Sequence, residues 1–130
     1  MSTTLFALEG RTALITGSSR GLGRAMAEGL GRAGARLLIN GTTRETVERA
    51  VGEMRAAGLQ ADPLVFSVTD EAAVKAAFEA LDARGIAVDI LVNNAGIQFR
   101  KPMVELETAD WQRVIDTNLT AAFVIGREAS

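Results

Sequence analysis

An α/β fold of the doubly wound type, one parallel sheet covered by helices on both faces, is predicted for this chain by three observations. Short apolar runs alternate with longer amphipathic stretches in the order βαβαβαβα. The short runs are apolar nearly throughout rather than at every second residue, as strands buried on both faces must be. A cluster of glycines marks the passage from the first run to the first amphipathic stretch, in "LITGSSRGLGRAMAEGL".

Each element follows from local pattern. The first strand is expected at 12–16 (TALIT), followed by a helix with Leu22, Ala25, Met26, Gly29, Leu30 and Ala33 on one face, closed by Gly34. The second strand is expected at 36–40 (RLLIN). Thr42 stands three residues before Glu45, the spacing of a capping box, and opens a helix with Val47, Ala50, Val51 and Met54 on one face, closed by Gly58. A third strand at 63–68 (PLVFSV) leads to Thr69 as N-cap, with Asp70 and Glu71 in the first turn and Val74, Ala77, Phe78 and Leu81 as the apolar stripe. The fourth strand is expected at 89–93 (DILVN). The last helical stretch takes Thr108 as N-cap and runs Trp111, Val114, Ile115, Leu119, Ala122 and Phe123 along one stripe, on which Asn118 also falls.

The 130 residues suit one domain. Fourteen basic and 16 acidic side chains are spread along the chain for a net charge of -2, so no basic face is predicted for nucleic acid. No apolar run approaches the ~20 residues that span a bilayer, and the start "MSTTLFALEG" lacks the layout of a signal peptide. A cytoplasmic protein with small-molecule or protein partners is expected. Cys, His and Tyr are all absent, which removes disulfides, thiolate nucleophiles, imidazole bases and His/Cys metal sites. Carboxylates, Lys75, Lys101 and hydroxyls remain for acid/base work.

Gly17 permits a tight exit from the first strand, Gly21 allows an anion close to the backbone, and Gly23 allows close packing of helix on strand. The free N–H groups and dipole of the helix N-terminus favour that anion. The spacing is G-x-x-x-G-x-G, with no lysine after it as a nucleoside-triphosphate loop requires. A dinucleotide phosphate turn fits, and so does a plain tight turn. The fourth strand ends in Asn93, Asn94, Ala95 and Gly96 at the same sheet edge, as cofactor contacts or as an Asx-rich turn. Asn118 is either a core amide satisfied by backbone or a functional group.

With "TGSSRGLG", "NNAG" and "DTNL" in this order, the chain resembles the short-chain dehydrogenase/reductase family over essentially all its length. The resemblance implies a Rossmann-type dinucleotide-binding fold of which residues 1–130 form the N-terminal part, ending in the helix that follows the fourth strand. It implies that Gly17, Ser19, Arg20, Gly21, Leu22 and Gly23 hold NAD(P) phosphates, and that Asn94, Ala95 and Gly96 lie along the cofactor. It also implies that Asn118 belongs to a catalytic Asn-Ser-Tyr-Lys set as part of a proton relay. The family's Ser and Tyr-x-x-x-Lys have no counterpart here, so this chain alone is expected to be inactive. Ser67 stands where relatives usually carry an Asp for adenine, with the Val68 backbone beside it.

Within the family, "LLINGTTRE" and "NNAGIQFRKPMVELETADWQRVIDTNL" are similar to gluconate 5-dehydrogenases, which interconvert D-gluconate and 5-dehydro-D-gluconate. Residues 40–43 carry no carboxylate, which favours NADP(H) over NAD(H), with Arg20, Thr42 and Arg44 as donors to the 2′-phosphate. The loop after the fourth strand brings Gln98, Arg100 and Lys101, and Arg100 is the expected partner of a sugar-acid carboxylate. The two-sided apolar segment "LTAAFVI" predicts a homo-oligomer of the full-length protein. The competing reading is a non-catalytic nucleotide-binding fragment.

Overall fold

The computed structural model describes residues 4–130. Four parallel strands, β1 (Thr12–Ile15), β2 (Arg36–Gly41), β3 (Ala61–Val65) and β4 (Ile90–Val92), form a sheet in the order β3-β2-β1-β4. The chain winds outward from β1 to β3 and then returns to place β4 on the other side of β1. The connection order therefore reverses between β1 and β4, and a crevice opens at their carboxyl ends.

Among the described residues there are five α-helices, α1 (Gly21–Arg32), α2 (Arg44–Ala56), α3 (Glu71–Ala83), α4 (Thr108–Ile115) and α5 (Ala121–Ala129), all but α4 contributing buried residues to the packing. Because strand side chains alternate, β1 sends Ala13 and Ile15 to one face and Leu14 to the other. The first pair packs with Leu37, Ile39 and the predicted Val47, Ala50, Val51 and Met54 of α2. Leu14 packs with Leu38, Val74, Phe78 and Leu81, together with Val124 and Ile125 of α5.

Helix α1 keeps only part of its expected face: Met26 and Leu30 pack against the core. Its buried residues are Gly23 and Ala27, whereas Leu22 is 70 % exposed and Ala25 and Gly29 face solvent. Small residues at 23, 27 and 31 form the sheet-facing row, and a Cβ on Gly31 would stand 2.9 Å from Leu37 Cδ1. The helix is close to the sheet because that row is small, which a search for large apolar side chains misses.

Gly34 and Gly58 adopt positive φ of 108° and 88° where the first two helices end, as predicted. The N-caps are shifted. Thr43, not Thr42, caps α2, and it does so without a side-chain bond. At α3, Asp70 replaces Thr69 as the cap, its Oδ1 accepting from Ala73 N at 3.1 Å, while Thr69 Oγ1 pairs with Ser67 Oγ. Glu107 precedes α4, and Thr108 is already helical. Strand β3 begins at Ala61 rather than Pro63 and ends at Val65 rather than Val68; it is an edge strand, where proline is tolerated.

The final helical stretch is also not uniform. A single π turn, Asp116–Thr120, separates α4 from α5. The extra residue rotates the helix beyond it, so Ala121, Val124 and Ile125 are buried and Phe123 is 65 % exposed; Leu119 inside the turn is 64 % exposed, and Trp111 before it, also expected on the buried stripe, is 50 % exposed because α4 packs no side chain into the core. Asn118, expected on the buried stripe, is itself exposed.

Candidate functional site

A cavity of about 1240 Å³ occupies the crevice at the sheet's carboxyl edge. Gly17, Ser19, Arg20, Gly21, Leu22 and Gly23 line it from the glycine turn, Thr42 from the end of β2, Ser67 and Val68 from beyond β3, and Asn94, Ala95 and Gly96 from beyond β4. The structure thus brings together the residues named for cofactor binding with one exception, Arg44, which lies outside the cavity wall.

The turn has the geometry of a cradle. Gly17 and Gly21 have φ of 63° and 62°, a conformation that disfavours other residues. Gly23 is demanded by space, since a Cβ there would lie 2.3 Å from the Gly17 carbonyl oxygen and 2.5 Å from Asn94 Nδ2. Helix α1 starts at Gly21, on the cavity wall, with no side-chain cap and no acid in its first turn, so its N-terminal N–H groups are left without a side-chain partner there. Space, free donors and a favourable dipole at one place fit a dinucleotide's pyrophosphate.

Residues that the motif reading passed over hold this cradle in shape. Asn40, read only as a non-acidic residue, is fully buried. Its Oδ1 accepts from Gly17 N at 3.0 Å, and its Nδ2 donates to the carbonyls of Leu64 and Phe66 at 3.0 and 3.2 Å. Ser18 Oγ donates to the Ile15 carbonyl at 2.6 Å and accepts from Asn40 N at 2.9 Å. Thr16 Oγ1 accepts from the backbone N–H of both Asn94 and Ala95, at 3.0 and 2.9 Å, and Asn94 Nδ2 donates back to the Thr16 and Gly17 carbonyls. Glycine turn, β2, β3 and the β4 edge are thereby one hydrogen-bonded unit. The available signal was a polar residue ending an otherwise apolar strand, at Thr16 and again at Asn40.

Asn118 does not line the large cavity; it lies beside Thr16, Asn93, Ala95 and Thr117 in a small adjoining pocket. Its amide clasps one residue of the β4 loop, accepting from Ile97 N at 2.8 Å and donating to the Ile97 carbonyl at 2.9 Å. Gly96 permits the approach, since a Cβ there would stand 3.1 Å from Asn118 Oδ1.

The cationic residues divide. Arg20 lines the cavity and makes no ion pair among the described residues. Arg44 pairs with Glu48 and is not part of the cavity wall, whereas Arg49, unnoticed in the sequence, is part of it. Arg24 bridges Glu28 and Glu53 at 3.1 and 3.3 Å, and its hydrogen bond to Glu28, then that to Glu53, raise its pKa. Arg100 is exposed on the β4 loop, outside the wall of the cavity. Its neighbour Phe99 lies beneath two cations, Arg113 at 5.3 Å and Lys101 at 6.0 Å.

Comparison with known proteins gives a consistent result. A family model described as short chain dehydrogenase matches residues 11–130. A 2-dehydro-3-deoxy-D-gluconate 5-dehydrogenase of Formosa agariphila is 41 % identical over 128 residues, covering 98 % of this chain and 48 % of the relative. Among solved structures, a candidate gluconate dehydrogenase from Agrobacterium tumefaciens is 68 % identical with a TM-score of 0.96, covering 98 % of this chain and 50 % of that one. A gluconate 5-dehydrogenase from Burkholderia cenocepacia, solved with NADP and tartrate, is 44 % identical with a TM-score of 0.91, covering 95 % and 49 %. The chain spans about half the length of the curated relatives it matches.

Proposed function

The chain belongs to the short-chain dehydrogenases, and from that premise we propose that it forms the cofactor-binding half of an NAD(P)-dependent oxidoreductase acting on a sugar acid, D-gluconate and 5-dehydro-D-gluconate being the favoured pair. One observation supports this above the others: three separated segments, 17–23, 67–68 and 94–96, converge on one cavity whose glycines have no room or no conformational freedom for side chains. Bound there, the nicotinamide cofactor supplies the hydride acceptor or donor. The chain's own groups hold and orient it. Gly21, Leu22 and Gly23 present backbone donors to phosphate, Ser67 and Val68 flank the adenine end, and Asn94 to Gly96 form the wall along the β4 edge. Asn118 fixes the loop at Ile97 and stands in reach of the adjoining pocket as a relay group.

NADP(H) is the proposed cofactor. Arg20 and Thr42 share the cavity wall, with no carboxylate among residues 40–43 to repel a 2′-phosphate. The relative solved with NADP supports the assignment. Titration of the protein with NADPH and with NADH, followed by cofactor fluorescence, is the test. NADPH should bind about tenfold or more tighter, and Arg20→Ala should remove most of the difference, ~1.4 kcal/mol or more. Equal affinities would sink the preference.

The substrate assignment rests on the relatives' names and on Arg100, which is free of ion pairs among the described residues. The second reading, a nucleotide-binding fragment without chemistry, is favoured by the absence of any tyrosine to act as proton donor. The 130-residue chain should bind NADPH yet fail to oxidise it with 5-dehydro-D-gluconate; turnover above a protein-free blank would refute that. No helix among the described residues is long and apolar enough to cross a membrane, and we place the protein in the cytoplasm. Exposed Leu119 and Phe123 support self-association, which sedimentation at micromolar concentration tests.

A further inference from the structure

The loop after β4, residues 97–107, is tied to the last helical stretch at two points. At Ile97 the tie is the Asn118 amide. Two residues on, the Phe99 ring meets the Arg113 guanidinium of α4, whose Cζ is 5.3 Å from the ring centroid, and Lys101 Nζ stands 6.0 Å from the same centroid. The loop's other hydrogen bonds up to Leu106, among the described residues, are internal: Glu105 N donates to the Pro102 carbonyl and Leu106 N to the Met103 carbonyl. The two ties are matched in length. Two residues of chain reach at most about 7 Å, and the five residues from Arg113 to Asn118 rise about 7.5 Å along a helix.

Phe99 is 38 % exposed in the cationic segment IQFRKP and joins neither core cluster. Burial does not account for a large ring at such a place, but its face is a seat for cations. Arg113 lines the cavity, and its one ion pair among the described residues, with Asp110 at 3.7 Å, is long and exposed. So weak a pair does not draw the guanidinium off the ring. Arg100 stands between Phe99 and Lys101, exposed and without an ion pair among the described residues. Of the three cations here, two are held at the ring and Arg100 alone is left for a ligand.

We propose that Phe99 and Arg113 are positioning residues: their stack docks the β4 loop on α4 and presents Arg100 to an acidic substrate from a loop already ordered. The inference rests on the sugar-acid reading above and adds to it the contact that fixes the recognising side chain. A loop ordered beforehand need not be ordered by the substrate, and that saving appears as affinity.

Two readouts test it, and the first needs no ligand. Trypsin can cut this loop after Arg100, whereas Lys101 precedes Pro102 and resists. Release of the fragment ending at Arg100, followed by mass spectrometry, should quicken about threefold or more in F99L and in R113M, while F99W keeps the wild-type rate. Leucine keeps the apolar bulk and loses the ring face, so a purely steric role would leave the rate alone. Melting temperatures should stay within about 2 °C of wild type, because neither side chain is buried. The second readout is calorimetric binding of D-gluconate to the NADP-loaded protein. F99L should weaken it about threefold in the wild-type background and not at all in the R100M background. An unchanged tryptic rate in F99L and R113M, or a faster one accompanied by a larger drop in melting, overturns the stack and leaves the sugar-acid reading in place. A faster rate with unchanged gluconate affinity, or an equal loss with and without Arg100, overturns the positioning of Arg100. If wild type resists trypsin as expected but binds no D-gluconate, the sugar-acid reading itself fails and takes the positioning claim with it.

Discussion

The two ends of the crevice are built differently. At the glycine turn every contact is short, internal and reciprocal: Asn40 bonds three backbone groups, Thr16 receives two N–H donors, and Asn94 returns two of its own. Among the described residues no buried side-chain polar atom lacks a partner. Beyond β4 the chain instead runs over the surface, with Arg100 and Lys101 exposed and Met103 and Val104 89 % and 95 % exposed. Past Gly96, the loop's side-chain hydrogen bonds among the described residues are those of the Asn118 clasp on Ile97. The difference separates two kinds of job. A cofactor is a constant, and the region that meets it can be rigid and self-contained. A substrate is read by side chains that project, and those positions contribute little to the fold. Substitutions at the turn should therefore lower stability and cofactor binding together, while those on the β4 loop should alter recognition and leave melting unchanged.

The severest way to probe the first region is Gly23→Ala. One added carbon would sit 2.3 Å from the Gly17 carbonyl oxygen and 2.5 Å from Asn94 Nδ2, neither of which can move without breaking the turn. NADPH affinity should fall by about 100-fold or more, ~2.7 kcal/mol, with a matching drop in stability. Fluorescence titration and urea unfolding on the same preparation would decide. Retained affinity in a destabilised protein would show that turn and cofactor are not coupled.

Next in size is Asn40→Leu, which keeps the volume and removes the bonds. Gly17 N, Leu64 O and Phe66 O lose their side-chain partner together, in a fully buried place. A loss of about 2 kcal/mol is expected, the middle of the ~1–3 kcal/mol that leaving buried polar groups unsatisfied costs. Equilibrium urea unfolding measures it; a change under about 0.5 kcal/mol would mean the amide is dispensable.

Arg100→Met turns to the other region. Calorimetric binding of D-gluconate to the NADP-loaded protein should weaken about tenfold, ~1.4 kcal/mol, through loss of a charge-assisted contact, with no change in melting temperature because Arg100 is exposed and unpaired among the described residues. An uncharged ketose should be indifferent to the change. If both sugars suffer alike, Arg100 does not read the carboxylate.

The same division explains what the sequence disclosed. Gly17, Gly21 and Gly23 were legible because conformation and space leave glycine no substitute. The α2 and α3 stripes were legible because large apolar side chains at helical spacing have one place to go. Asn40 was not, because a single polar residue at a strand end says nothing about which backbone groups, 23 to 26 residues away, will need it. The α1 face was legible only in part: Met26 and Leu30 pack against the core, but the closest contacts depend on the small residues Gly23 and Ala27. The faces beyond Asp116 were misjudged because a π turn breaks the 3.6-residue period without leaving a mark in composition.

The smallest expected effect lies at the far edge of the rigid region and concerns pH. Asp62 of β3 receives Arg36 Nε and Nη2 at 2.9 and 2.6 Å, and Arg55 Nη2 at 3.0 Å. Partial burial pushes its carboxyl pKa up, but the Arg36 hydrogen bonds and charge, with those of Arg55, outweigh burial and hold it below the ordinary carboxylate value. In the unfolded chain the group titrates normally. The contribution to stability is therefore fully present above the ordinary carboxylate range and is lost as pH falls through the lowered folded value. The Asp62 side chain is 20 % exposed and its two arginines 37 % and 54 %, so solvent screening limits the effect to about 1 kcal/mol. Urea unfolding of wild type and Asp62→Asn at neutral pH and through the acid range should show a gap of that size that closes as the pH drops. The gap should also narrow in 1 M salt, where the Debye length is about 3 Å. A gap that persists unchanged in acid would mean that the residue acts through shape and neutral hydrogen bonding rather than charge, and the turn-side region would then owe its rigidity to the buried Asn40 and Thr16 contacts without help from this ion pair.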